Sequence, residues 1–588
     1  MSSHIDDVTA IAFSPDKRLV ATGEIGAKPM ICIWDAVTMQ LKYPPIKGKL
    51  TKGIQSLSFS STGKTLAVVC IDPDHTVAVV NVETKTMLTA KGDVNDILDI
   101  CMNDDMIFST VGIKHFKQWT VSQTGLIGKG GSFGTANPAQ GVCRYMGELC
   151  LSGAITGELY VWQGTGIKQT LKLHQGHLDA ITVTPKYVLT GGKDCKVTVL
   201  QTGSLTALFS FSLSDAALGF NSIMGKVRAI ALNDTEDIMY LGTLGAEIFQ
   251  VNVNIPGKAV QKPKRLVVGH YSPSAKYTNE VWGLEVTPDT DKYISTSDDG
   301  TLRLWDAKLR SQIKFVNLAV DQSGQALPMD PATNELSDAS KARCVDVKPK
   351  GDEVAVGFLD GSVRIYAFPA FQEKKRFQVV KKLAAGKNQV LAISQVRFSP
   401  DSNWLAVASH DAKIHIFSTA DYSVKSKCGA STSAVTHIDW SIDSQSIHTN
   451  DLSYELLYYN AMTGVQDKGG ASGFRDEPWA SWTLPLGWPV QGIWPSNADG
   501  SDINSVDRTA AFHIDGYQLV ASGDDKGKVN IFRYPSMMKG SLPVEGKGHS
   551  SHVTNVRFAK NDLTQTTYLY STGGNDTCVF QWKIISKV

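Results

Sequence analysis

A chain of 588 residues is longer than one ordinary hydrophobic core, so two or more domains are expected. Apolar content of 42% with 20% charged residues is that of a globular protein, and 58 Lys+Arg against 57 Asp+Glu leave a net charge of +1, which argues against a global pull toward nucleic acid or membrane. Nine scattered cysteines without a C-x-x-C spacing argue against a disulfide framework and fit a reducing, cytoplasmic compartment. The opening MSSHIDDVTAIAFSPD carries charge and proline where a secretory signal needs an apolar core, and no run approaches the roughly 18 apolar residues of a membrane span.

Taken in chain order, one unit recurs: an apolar strand, a polar turn, a second strand ending in small residues, a tight turn, and a third strand closing on an aromatic. It appears at Val8–Asp35, Ile54–Val82, Ile97–Thr120, Gly141–Gln163, Leu178–Gln201 and Lys226–Val251. Residues Asn252–Asn279, rich in Lys, Pro, Ser and Gly, read as a domain connection, which places an amino-terminal domain at 1–265 and a carboxy-terminal domain at 266–588. The series resumes with Glu280–Asp306, whose YISTSDDGTLRLWD is two strands hinged on Asp298-Asp299-Gly300, a hairpin signal. Further units are Ala342–Tyr366, Leu391–Phe417, Val435–Asn460, an irregular one in which Trp479–Pro495 supplies extra strands before Gln518–Tyr534, and His549–Lys583. A period of about 40 to 50 residues without helical periodicity predicts an all-β chain of two tandem WD40-type β-propellers, about 12 to 13 blades in total.

The polar residues of the unit recur as well. His270, Ser295, Asp299 and Trp305 in one blade match His549, Thr572, Asp576 and Trp582 in the last, and the fifth blade keeps His177, Thr190 and Asp194. A catalytic set occurs once, so a repeated His, hydroxyl, Asp and indole is read as a buried hydrogen-bond network tying each blade together, and no catalytic residue is assigned. The pairs His174/His177 and His549/His552 lack further ligands at metal spacing, and Gly128–Gly134 matches no phosphate loop, so no metal and no cofactor is expected. Basic clusters at Lys47, Lys49 and Lys52, at Lys262–Arg265, and at Lys374, Lys375, Arg376, Lys381 and Lys382 read as solvated loops, or as landing sites for an acidic partner. Sparse aromatic interleaving argues against nucleic acid.

Several segments carry more than a generic repeat: Trp282-Gly-Leu, Ser453-Tyr-Glu-Leu-Leu-Tyr-Tyr459, Gly492-Ile-Trp-Pro495 with Asp499-Gly-Ser-Asp-Ile-Asn504, Ser522-Gly-Asp-Asp525, and Gly548-His-Ser-Ser-His-Val-Thr-Asn555. On these the chain resembles the echinoderm microtubule-associated protein-like (EMAP-like) family. The resemblance implies a tandem pair of atypical propellers that binds tubulin or microtubules without enzymatic activity, in the cytoskeleton of the cytoplasm, of a cilium or of a flagellar axoneme. Implied partners are tubulin and other cytoskeletal or axonemal proteins, with no nucleic acid and no membrane; the alternative is a WD-repeat adaptor that assembles a complex without touching tubulin. The sequence opens at blade one, without the coiled coil that many members carry ahead of it or a clear counterpart of the hydrophobic motif that usually precedes the first propeller.

Overall fold

Strands of five or six alternating residues, separated by turns that glycine or Asp-Gly makes cheap, bury one face of a sheet and leave it needing neighbours. The computed structural model describes residues 4, 6–48, 50–215, 217–220, 222, 224–261, 263–272, 279–380, 392–495, 498–509, 517–561 and 566–585. They form twelve antiparallel sheets in two compact units, Met1–Val268 and Gly269–Val588. Each sheet is a meander, and its residues follow one another in the chain.

Blade seven shows the pattern. Val281–Val286, Lys292–Ser297, Thr301–Asp306 and Ser311–Asn317 pair in that order, with Tyr293 opposite Trp305 and Ser297 opposite Thr301 across the Asp298–Gly300 turn. Gly300 closes that turn at φ 75°, which a side chain disfavours. In all twelve blades the first, inner strand carries a register shift between its first and third residues, as at Val281/Gly283 and Val553/Asn555. An inserted residue bends a strand and increases its twist, which turns each inner strand toward the axis of its ring.

The expected three-strand units are the inner three strands of these blades. Nine of the twelve sheets add a fourth, outer strand, for example Gly166–Lys172 and Gln372–Gln378. The connection read as 252–279 is partly structured: Lys264–Val268 pairs with Glu247–Asn254 as the outer strand of blade six. Blade eleven takes its inner strand from Ile503–Arg508 and not from Trp479–Pro495. That stretch instead folds around a 3-10 turn, Trp488–Ile493, and packs Trp479, Trp482, Val490 and Ile493 against Val506, Val520 and Phe532.

The carboxy-terminal unit closes into a ring of six blades. Thr554 donates to the Val281 carbonyl, Asn555 Nδ2 donates to the Trp282 carbonyl at 3.1 Å, and the rings of Tyr293 and Tyr570 lie 4.6 Å apart. In the amino-terminal unit the Lys17–Asp234 ion pair joins the turn of blade one to that of blade six. Blades approach closely where the second strand ends in a small residue: a Cβ on Gly523 would lie 2.4 Å from Val553 of the next blade. Gly523→Ala is therefore expected to destabilise the carboxy-terminal unit by about 1–3 kcal/mol, read as a lower urea midpoint. An unchanged midpoint would show that the blades yield.

Candidate functional site

Blades one, three, five, seven and twelve each hold their hairpin with a buried polar cluster. His270 Nε2 lies 2.8 Å from Ser295 Oγ and its Nδ1 lies 3.0 Å from Asp299, while Trp305 Nε1 donates to Ser295 at 2.8 Å. Arg303 adds a 2.9 Å pair to Asp299, and burial together with Arg303 lowers the pKa of His270. Against the burial that would raise it, His270 and Arg303 hold the Asp299 carboxyl far below the usual range.

The last blade repeats this with His549, Asp576 and Trp582, but its hydroxyl is Ser571, 2.8 Å from both His549 Nε2 and Trp582 Nε1. Thr572, expected there, bonds Thr554 on the opposite face, because successive strand residues alternate and Ser571 sits two past Leu569, the partner of Trp582. In blade five the histidine of the cluster is His174, 2.9 Å from Asp194 and 2.9 Å from Thr190; His177 turns to Asp179 at 3.5 Å. The distinguishing signal is spacing: His4, His174 and His549 each stand four residues before the inner strand. His4 joins Glu24 (2.8 Å), Thr22 (2.6 Å) and Trp34 into the same cluster in blade one, and blade three exchanges the roles, with Asp93 in the leading position and His115 on the third strand.

A second repeated feature lies on the axis of the carboxy-terminal ring. The fifth residue of each inner strand is charged: Glu285, Asp346, Arg397, Asp439, Asp507 and Arg557. Arg397 reaches across the ring to Glu285 at 2.8 Å and to Asp346 at 3.3 Å, and Arg557 meets Glu285 at 3.1 Å. Three of the acids also bond forward: Asp346 accepts the N–H of Phe398 at 2.6 Å, Asp439 that of Thr483 at 2.6 Å, and Asp507 that of Phe558 at 2.7 Å. The sequence reading missed this belt, although one charge at a fixed place in six otherwise alternating strands is a visible signal. Beside the belt a cavity of about 410 Å³ is lined by Trp282, Arg343, His437, Asn450, Tyr454 and Asn504 among others. Arg343 is held there by Asp298 at 3.0 Å and lies over the Trp282 ring at 4.5 Å, and burial pushes His437 down to about 4, so its imidazole is neutral.

The basic clusters divide. Lys47 and Lys52 are exposed and make no ion pair among the described residues, whereas Lys49, Lys262, Lys381 and Lys382 lie outside the described residues. Lys374, Lys375 and Arg376 sit on the outer strand of blade eight with their head groups engaged: Lys374 to Glu353 at 2.7 Å, Lys375 to the Asp421 carbonyl, and Arg376 to Glu373 at 2.8 Å. Asp499–Asn504 forms the turn into the inner strand of blade eleven, where Asn504 Nδ2 donates to Asp525 at 2.7 Å and to the Val553 carbonyl at 3.1 Å.

Comparison with known proteins follows the same division. Residues 2–251 match the model of the echinoderm microtubule-associated protein first beta-propeller, and residues 281–584 match that of the second. The chain belongs to the echinoderm microtubule-associated protein family. The 77 kDa echinoderm microtubule-associated protein of Strongylocentrotus purpuratus is 31% identical over 608 residues, covering 99% of this chain and 80% of its own. Human echinoderm microtubule-associated protein-like 1 is 29% identical over 99% of this chain and 67% of its own, and a ciliary WD repeat-containing protein of Euplotoides octocarinatus is 28% identical over 99% and 76%.

The belt makes this family member's stability depend on pH. Burial, with Glu285 nearby, pushes Asp346 up to about 7 despite Arg397, and burial pushes Asp507 up to about 6 despite Arg557. A carboxyl whose folded pKa exceeds the unfolded value of about 3.9 lends stability below that value and loses it as pH rises through the folded pKa. Asp439, held down to about 2 by His448 and Arg397 against its burial, acts in the opposite sense below about pH 4. Asp507→Asn keeps an acceptor for Phe558, so the carboxy-terminal unit of the variant should lose less Tm than wild type between about pH 5 and about pH 7.5. Equal losses by calorimetry would take Asp507 out of this account.

Proposed function

We propose that this chain is a non-catalytic scaffold of the microtubule cytoskeleton that contacts tubulin directly. The observation that carries the reading is the match of both propellers, over 99% of the chain, to a protein whose name is microtubule-associated. The polar clusters support the absence of catalysis, because His, hydroxyl and carboxylate recur from blade to blade where a reaction centre would stand alone. Two stiff frames with many loops suit a broad, flat partner, since rigid loops lose little entropy on docking. The name of the Euplotoides relative favours a cilium or flagellar axoneme as the place of action.

Purified chain sedimented with microtubules from purified tubulin tests this reading: pelleting that weakens with added salt is expected, and a chain left in the supernatant would favour an adaptor that needs a third component. Lys47 and Lys52 are the basic residues best placed to meet an acidic surface, being exposed and unpaired among the described residues. Lys47→Gln with Lys52→Gln should weaken pelleting about threefold, and neutralising Lys374, Lys375 and Arg376, already matched by neighbouring oxygens, should weaken it less.

A further inference from the structure

The outer edge of the last blade is open. In the nine sheets with an outer strand, the third strand is paired on both sides. Blade one, with three strands, is covered by bridges from Trp34 to Leu41 and Ile31 to Ile46, and blade ten by one from Tyr459 to Gln466. Blade twelve ends at Val579–Lys583, and among the described residues nothing pairs with its far side. Its burial shows the consequence: the third strands of blades seven and four are buried at their four central or near-terminal positions, while Val579, Phe580, Gln581 and Trp582 are only half-buried.

The free backbone groups are identifiable. The Cys578 carbonyl accepts from Gly573 at 3.0 Å and the Ile584 N–H donates to Thr567 at 3.0 Å, so the even-numbered residues face the blade. By the alternation of an antiparallel ladder, Val579, Gln581 and Lys583 turn their N–H and C=O groups outward. Beside this edge runs a groove of about 930 Å³. Its walls include Met538, Leu542, Val544 and Ile585, exposed by 78%, 93%, 73% and 73%. Apolar side chains this exposed and this close together mark an interaction surface.

We propose that an extended segment of a partner protein, with alternating apolar residues and acidic flanks, adds to Val579–Lys583 as the missing outer strand and lays its apolar side chains in this groove. Arg533, Lys547 and Lys583 line the groove, and its one acid, Glu545, is matched by Lys528 at 3.1 Å, so the surplus charge is positive. That surplus selects an acidic strand and works against a second copy, which would bring the same three cations face to face. A lipid surface would leave the outward N–H and C=O groups without partners. Added strands gain affinity from main-chain bonds and specificity from alternate side chains, which is the combination the edge and groove offer.

A fluorescein-labelled peptide of alternating valine and threonine, flanked by glutamates, titrated into the full chain and followed by anisotropy, tests the proposal. Saturable binding is expected, weakened about tenfold by Leu542→Glu with Met538→Glu. Both positions are exposed enough to leave the fold intact. N-methylation of alternate peptide amides should abolish binding in one register and spare it in the other, a result that depends on no variant of the protein. No saturable binding, or equal binding of peptides methylated in either register, would overturn the proposal. So would sedimentation showing that the wild-type chain self-associates and that Leu542→Glu with Met538→Glu stops it, since the groove would then belong to a second copy.

Discussion

Inner strands of neighbouring blades splay from a common axis and cannot share a ladder, so side chains must span the gap. Everything else in these rings depends on that bridge: an oxygen on one inner strand accepts a backbone N–H from the next. Asp346 holds Phe398, the Gln395 amide oxygen holds Ile438, Ser505 holds Val556, and Asp507 holds Phe558. The amino-terminal unit uses the same device, with Ser58 accepting from Met102 and Asp99 from Cys143, both at 3.0 Å. Each bridge satisfies a buried donor that would otherwise go unpaired, at a cost of about 1–3 kcal/mol apiece. The aliphatic contacts between blades are not directional and would tolerate sliding; the bridges fix the register.

The blade interiors were legible in the sequence because their second and third strands are short runs buried almost throughout, and because a turn residue such as Gly300 has few substitutes. The outer strands were not. Gly166–Lys172 and Ser311–Asn317 have one face toward water and only a few half-buried positions, so they carry little of the alternation by which a strand is recognised. The same argument explains blade eleven. Trp479, Trp482 and Val490 are as apolar as any strand, and what distinguishes them is the Gly487-Trp488-Pro489 break, with Gly487 at φ 144° and Pro489 inside a 3-10 turn. Ile503–Arg508, which holds an asparagine, a serine, an aspartate and an arginine in six residues, is the inner strand.

Among the cluster residues, type was easier to read than place. Histidine, hydroxyl and carboxylate were visible in the repeat, but Ser571 and Thr572 differ by one step along a strand, and that step decides which face of the sheet a side chain joins. His174 and His177 differ by three, across a turn at Gly176 with φ 96°, and the first is buried at the hairpin while the second remains partly exposed. Distance along the chain from the inner strand resolves the histidine, and counting two back from the end of the second strand resolves the hydroxyl, as at Ser295, Ser571, Thr190 and Thr22. The basic clusters show the complementary limit: composition marked Lys374, Lys375 and Arg376 as free charge, and outer-strand pairing gave each an oxygen partner.

The two rings solve the axial problem with different chemistry. At the fifth inner-strand position the amino-terminal unit has Ala12, Ser58, Cys101, Arg144, Thr182 and Ala231, mostly small and uncharged, where the carboxy-terminal ring has four acids and two arginines. Burying six charges is costly unless each finds an opposite charge or a donor. Here Arg397 and Arg557 serve Glu285 and Asp346 between them, and backbone N–H groups serve Asp346, Asp439 and Asp507. Burial, with the surplus of acid over base on the axis adding to it, makes Asp346 and Asp507 hold their protons more tightly than a free carboxyl does. The two propellers therefore share a fold and a bridge, while the belt of six charges at this position belongs to the carboxy-terminal one.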